Sequence, residues 1–107
     1  MTKMFNIPSD SEHIERYNVL GQRMNILRDS IRIGILLYLI DVGEAYQQQL
    51  NDHFELAIEQ TSMSRHLRIL LENNLLNSER RGNRIYYRRN EEGIKAWKDA
   101  LCQVLGP

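Results

Sequence analysis

The sequence predicts a mainly α-helical domain with one two-stranded β-ribbon, and three observations predict it. Residues 61–73 place Met63, Leu67, Leu70 and Leu71 at i, i+4, i+7 and i+8, one face of a helix. Residues 77–89 read as two strands around Arg81-Gly82-Asn83, with Ile85 and Tyr87 alternating against Arg84, Tyr86 and Arg88. Amphipathic helical patterns then occupy both ends of the chain. Together these give the order α-α-α-α-β-β-α, that of a winged helix-turn-helix.

The elements follow in order. Residues 1–9 lack periodicity and include Pro8, as expected of a flexible N-terminal arm, and residues 10–107 are expected to form a single domain. Ser9 and Glu12 are spaced as a capping box for a first helix of about residues 10–27, whose apolar stripe is Ile14, Tyr17, Leu20, Met24 and Leu27. Asp29 or Ser30 caps a second helix, residues 31–40, which is apolar on nearly every side and therefore expected to be buried. Glu44–Phe54 is expected as a third, more polar helix with Tyr46, Leu50 and Phe54 facing inward. The turn to the next helix falls in Glu55–Gln60.

The helix of about residues 61–73 takes Thr61 as its N-cap and stops at Asn74, the best non-glycine residue for a left-handed C-cap. A ribbon of about residues 77–89 follows, with strands at about 77–81 and 84–89. Asn90 caps a last helix, Glu91–Leu105, with Glu91 and Glu92 facing its positive end. Ile94, Trp97, Leu101, Val104 and Leu105 form its apolar stripe.

Composition narrows the class. Net charge is zero, but the charges are segregated: residues 61–90 hold seven arginines against Glu72 and Glu79, and residues 41–60 hold five carboxylates and no Lys or Arg. Charges separated by more than the screening length of about 8 Å act locally, so a docked phosphate meets the arginines and not the average. No apolar run is long enough to span a membrane, and no signal peptide is evident. A single cysteine, Cys102, forms no intrachain disulfide, which fits a cytoplasmic protein.

The helix of residues 61–73 turns Thr61, Ser62, Arg65 and Ile69 away from its apolar face, with His66 and Arg68 on the flanks and Ser64 at the border. The hairpin adds Arg80, Arg81, Arg84, Arg88 and Arg89. Hydroxyls, an imidazole and planar guanidinium forks suit base edges and phosphates. The expected DNA-contacting residues are Thr61, Ser62, Ser64, Arg65, His66, Arg68, Arg80, Arg81, Arg84 and Arg88, with Arg65 the first choice for a guanine edge.

These same residues carry a resemblance. SMSRHLRILLENNLL, with its S-x-S-R-H-L core at Ser62–Leu67, resembles the recognition helix of the ArsR/SmtB winged-helix repressors. RRGNRIYYRR resembles the wing pattern R-x-G-x-x-x-Y-Y, and Leu27–Leu36 is similar to the family's L-A-D-P-T-R-L-R-I-L, with Ser30 in place of proline. The resemblance spans residues 27–89 and implies repression from an inverted-repeat operator in duplex DNA. It also implies a homodimer through the terminal helices, placing Ile14, Tyr17, Leu20, Met24, Trp97, Leu101, Val104 and Leu105 at the interface.

Many members of that family sense metals, and the motifs for it are missing here. Residues 44–50 read EAYQQQL with no C-x-C, and residues 91–107 contain no histidine. His13, His53 and His66 show no ligand spacing, so no metal or cofactor is expected. A site shared across a dimer by His13, Asp52, His53 or Glu55, and a redox use of Cys102, stay open. An enzyme is not expected, because no carboxylate is placed to orient His66 beside Ser62. The alternative is a winged-helix module that binds protein, an adaptor or antitoxin-like partner, without specific DNA binding.

Overall fold

A computed structural model describes residues 11–55 and 60–106, without the side chains of 11–14, 60 and 61. The expected arm, Ser9 and the Glu12 side chain of the expected capping box lie outside what is described. Five helices and three strands run in the order α1 (Ser11–Ile26), α2 (Ser30–Val42), β1 (Glu44–Tyr46), α3 (Gln47–His53), α4 (Gln60–Glu72), β2 (Leu76–Arg81), β3 (Arg84–Arg89) and α5 (Glu91–Leu105).

The inner face of α4 is the one the spacing predicts: Met63, Leu67 and Leu70 are buried and Leu71 is half-buried. They pack with Ile35, Leu36 and Leu39 of α2, Leu50 of α3, and Leu75 and Leu76 beyond the helix. Asn74 ends α4 at φ 61°, where the amide of Leu75 donates to Leu70 O at 3.0 Å and that of Asn74 to Leu71 O at 3.1 Å. This is a Schellman closure, and Leu75 and Leu70 supply its apolar contact. Asn90 caps α5 by accepting from the amide of Gly93 at 3.1 Å, and its own amide donates to Leu75 O at 3.0 Å. The two helix ends are thus fastened to each other. They meet so closely that a Cβ on Gly93 would sit 1.7 Å from Asn74 O.

The sheet differs from the expected two-stranded ribbon. It has three antiparallel strands in the order β1-β3-β2, with Glu44↔Arg88, Ala45↔Tyr87 and Tyr46↔Tyr86 joining β1 to β3. The expected helix over Glu44–Phe54 is therefore a strand followed by a seven-residue helix. Glu, Ala and Gln favour helix locally, but pairing with β3 buries Ala45 completely and outweighs that preference. The β2–β3 turn follows the prediction, with Gly82 at φ 62°, a conformation that costs a residue with a Cβ.

The second correction concerns α2. It buries Ile35, Leu36 and Leu39 but leaves Ile33, Leu37 and Ile40 on the surface, Leu37 58% and Ile40 57% exposed. A helix apolar on all sides is fully covered only when both sides have a neighbour, and this chain covers one. The terminal helices explain the shortfall. No described side chain of α1 is buried, although Arg16 donates to Gln103 Oε1 of α5. The described residues extend 61 × 27 × 25 Å with a radius of gyration of 17.0 Å. A compact domain of this length has about 13 Å, so the chain is drawn out along one axis.

Replacing Gly93 by Ala is expected to destabilise the fold by at least about 2 kcal/mol, since the added methyl meets backbone rather than a side chain able to move. Urea unfolding measures it, and a midpoint equal to that of the wild type would contradict the close approach.

Candidate nucleic-acid interface

The candidate surface begins on α4. With Met63, Leu67 and Leu70 inward, the exposed positions are Ser64, Arg65, Arg68 and Glu72. Ser62 and Ser64 exchange the places expected of them: Ser62 is half-buried on the flank it shares with His66, one turn on, and Ser64 is exposed. Helix α4 starts at Gln60, so Thr61 is its second residue rather than its N-cap, and the Thr61 side chain lies outside the described residues. Arg68 is exposed and lies 3.7 Å from Glu72 one turn later. His66 is half-buried, and burial, first, with Arg32 and Arg65 beside it, pushes its imidazole below the usual histidine range. The nearby Asp29 carboxylate acts in the opposite sense.

Contacts carry this surface from α4 to the wing. Gln47, at the start of α3, donates from Nε2 to Ser64 Oγ at 2.6 Å, which joins the two helices of the helix-turn-helix. Tyr46 precedes it, and the Arg84 guanidinium lies 4.2 Å above the Tyr46 ring. Tyr46 meets Tyr86 edge-on at 5.6 Å, and Arg81 covers Tyr86 at 4.5 Å. Arginines and tyrosines thus alternate across one face of the sheet. Between α3 and β3 lies an open cleft of about 410 Å³ lined by Tyr46, Gln47, Gln48, Asn83, Arg84, Ile85 and Tyr87.

The arginines of the hairpin divide into two groups. Arg81 binds Glu44 with two nitrogens and Glu79 with a third, at 2.8 Å, fastening β1 to β2 across β3. Hydrogen bonds from Arg81 hold both carboxyls below the ordinary range, and the two carboxylates raise Arg81 in return. Arg89 donates to Leu36 O of α2 at 2.9 Å and pairs with Glu91 at 2.8 Å. Arg88 approaches Glu79 at 4.0 Å. Among the described residues, Arg65, Arg80 and Arg84 have no carboxylate partner. Expected Arg81 contact with DNA therefore competes with two internal ion pairs. Sequence spacing could not sort these groups, because Glu44 lies 37 residues from Arg81.

The dimer candidates divide as well. Tyr17, Met24, Val104 and Leu105 are exposed, and Leu20 and Leu101 are half-covered. Trp97 is buried with Ile94 in the chain's own core. The Ile14 side chain lies outside the described residues. Cys102 is exposed on α5, and among the described residues no three His, Cys, Asp or Glu side chains gather as a metal site. None of the described helices is long and apolar enough to cross a membrane.

No protein-family model matches the sequence. The arsenical resistance operon repressor of Bacillus subtilis is 33% identical over 95 residues, covering 88% of this chain and 86% of its own. The chain belongs to the ArsR/SmtB family. It is a DNA-binding transcriptional repressor by that membership, and the protein-binding alternative is set aside. Solved structures agree. A possible transcriptional regulator for arsenical resistance superposes with TM-score 0.65 at 27% identity, over 76% of this chain and 80% of its own. The homodimeric winged helix-turn-helix DNA-binding domain of a Mycobacterium bovis protein gives TM-score 0.63 at 23% identity, over 96% and 89%.

The Arg81 ion pairs fix a pH dependence. Carboxyls lowered in the folded state contribute stability above their ordinary value of 4.5, and it is lost as pH falls through the lowered values. In Arg81→Ala, NMR titration should show the Glu44 and Glu79 midpoints rising toward 4.5. Unmoved midpoints would contradict the pairing.

Proposed function

We propose that this ArsR-family chain acts as a homodimer that grips an inverted-repeat operator with α4 and the wing of each protomer. The observation that carries this reading is the continuous polar surface from Ser64 and Arg65, through Gln47, to Arg84 over Tyr46. Arg65 is assigned to a guanine edge in the major groove, where a bidentate fork finds two acceptors. Ser64 and the hydroxyl residues Thr61 and Ser62 supply backbone or base contacts at the start of the helix, and Arg68 supplies one a turn after Ser64. Arg80, Arg84 and Arg88 are assigned to phosphates along the wing, where they set register without reading sequence.

Support for the dimer is the homodimeric M. bovis domain together with the uncovered apolar side chains of the terminal helices. Two-fold symmetry places two recognition helices about 34–36 Å apart, one turn of duplex DNA. Tyr17, Leu20 and Met24 of α1, with Leu101, Val104 and Leu105 of α5, form the proposed face. Replacing Met24 and Val104 together by glutamate should shift the protein to monomer in sedimentation velocity. An unchanged mass would argue against that face.

Anisotropy titrations against the chain's own upstream DNA and a scrambled duplex, across salt concentrations, test the assignments. Arg65→Ala should weaken binding to the specific duplex by about 1–3 kcal/mol and relax preference at one base pair. Arg84→Ala should weaken both duplexes alike and lower the salt slope by about one. The reading fails if the folded wild type binds neither duplex at low salt. Equal losses and slopes in the two variants would remove the division of labour between them.

A further inference from the structure

We infer that Arg32 is a positioning residue for the recognition helix, fastening α4 to the end of α1 through His66 in its neutral form. The inference rests on the DNA-binding reading above. Arg32 lies in the first turn of α2, and its side chain makes two bonds to two other elements. Its Nε donates to His66 Nδ1 at 3.2 Å, and its Nη1 donates to the carbonyl of Ile26, the last residue of α1, at 3.1 Å. Asp29 holds the root of this fork by accepting from the amides of Ile31 at 2.8 Å and Arg32 at 3.3 Å. A guanidinium is planar and its donors are fixed relative to one another, so satisfying both acceptors sets the distance between them.

The chemistry of the acceptor makes the contact conditional. Nδ1 accepts only while it carries no proton, which requires the neutral ring with its hydrogen on Nε2. Protonation turns Nδ1 into a donor facing a cation, and the bond becomes a repulsion. The charged groups facing His66 are Asp29 and Arg32, from the N-terminal end of α2, and Arg65 of α4 itself. Burial opposes the imidazolium most, Asp29 favours it, and Arg32 and Arg65 oppose it, so the net shift is toward the neutral ring. His66 adjoins Arg65, the proposed base-reading residue, and α1 belongs to the proposed dimer face. The angle between the two reading heads therefore passes through the Arg32 fork.

The sign of the pH dependence separates this role from the ordinary one. A histidine that meets DNA as a cation gains affinity on acidification. A histidine that must accept from arginine loses it.

Two measurements test the inference. The first needs no DNA: NMR titration of the imidazoles in wild type and Arg32→Ala. The His66 midpoint should rise in the variant toward the ordinary 6.5, and an unmoved midpoint would overturn the contact. The second is anisotropy against a duplex from the chain's own upstream DNA between about pH 5.5 and 8, a range spanning the ordinary histidine pKa. Wild-type affinity should fall about fivefold to tenfold on acidification, the size of one ordinary hydrogen bond lost. His66→Gln, whose amide oxygen accepts without titrating, should hold its neutral-pH affinity through the acid range. Arg32→Lys keeps the charge but loses the planar fork, and should bind about tenfold more weakly at neutral pH. Affinity that rises on acidification and stops doing so in His66→Gln would overturn the inference, as would wild-type binding by Arg32→Lys. A folded wild type that binds no duplex at any pH refutes the DNA reading instead, and the imidazole titration still decides the Arg32–His66 contact.

Discussion

Burial of one face of α4 governs the rest of the molecule. Met63, Leu67 and Leu70 are almost wholly removed from water against α2 and α3. Each buried aliphatic side chain of this size contributes about 1.5–3 kcal/mol, so the helix has one favourable rotation about its axis. That rotation decides which side chains are left on the surface. Ser64, Arg65 and Arg68 face outward because Met63, Leu67 and Leu70 face inward. The closure at Asn74 and the cap at Asn90 then bring the chain back, setting the wing and α5 relative to the same helix. The exposed polar face is in this sense a by-product of packing: it is the complement of the core face.

The wing is held by a different means. Its strands are short and their outer face is exposed, so apolar burial contributes little beyond Ala45, Leu76 and Tyr87. Arg81 compensates by bridging Glu44 and Glu79, and stacked Arg–Tyr pairs extend the contact to Tyr46 and Arg84. Exposed ion pairs are individually weak, but a multidentate arginine in a network gains geometric definition. A wing built this way is ordered enough to present its cations, while its outer face stays polar. The acidic stretch around residue 44, which in the sequence looks like a separate negative patch, partly serves to neutralise the hairpin from within.

Much of this was legible in the residues. Strict alternation from Arg84 to Arg89 gave the β3 face, and Asn74 and Asn90 marked their helix ends because each has a specific local geometry to satisfy. What was not legible depended on distant partners. Glu44-Ala45-Tyr46 is too short and too helix-prone to read as a strand until Tyr87 and Tyr86 are beside it. The commitment of Arg81 and Arg89 to internal acceptors is invisible in a count of arginines. Ser62 and Ser64 differ in exposure because of a helix rotation that the apolar spacing implied but that the hydroxyl pattern obscured. The contacts of Arg32 gave no signal, since its two acceptors lie on separate helices. The apolar run of α2 was read correctly as hydrophobic and wrongly as covered, because one sequence does not say how much of its core belongs to a single chain.

The position of Trp97 has a further consequence. It is the chain's one tryptophan, and it sits buried on α5 beside Ile94, on an element separate from α4 and the wing. Indole emission is therefore an internal reporter of core integrity that is not itself a proposed DNA ligand. Tyr46 and Tyr86, by contrast, lie beneath arginines of the wing, whereas Tyr87 belongs to the core. Excitation at the red edge of the indole band can therefore follow the scaffold alone, in the unlabelled molecule, while ligands bind elsewhere.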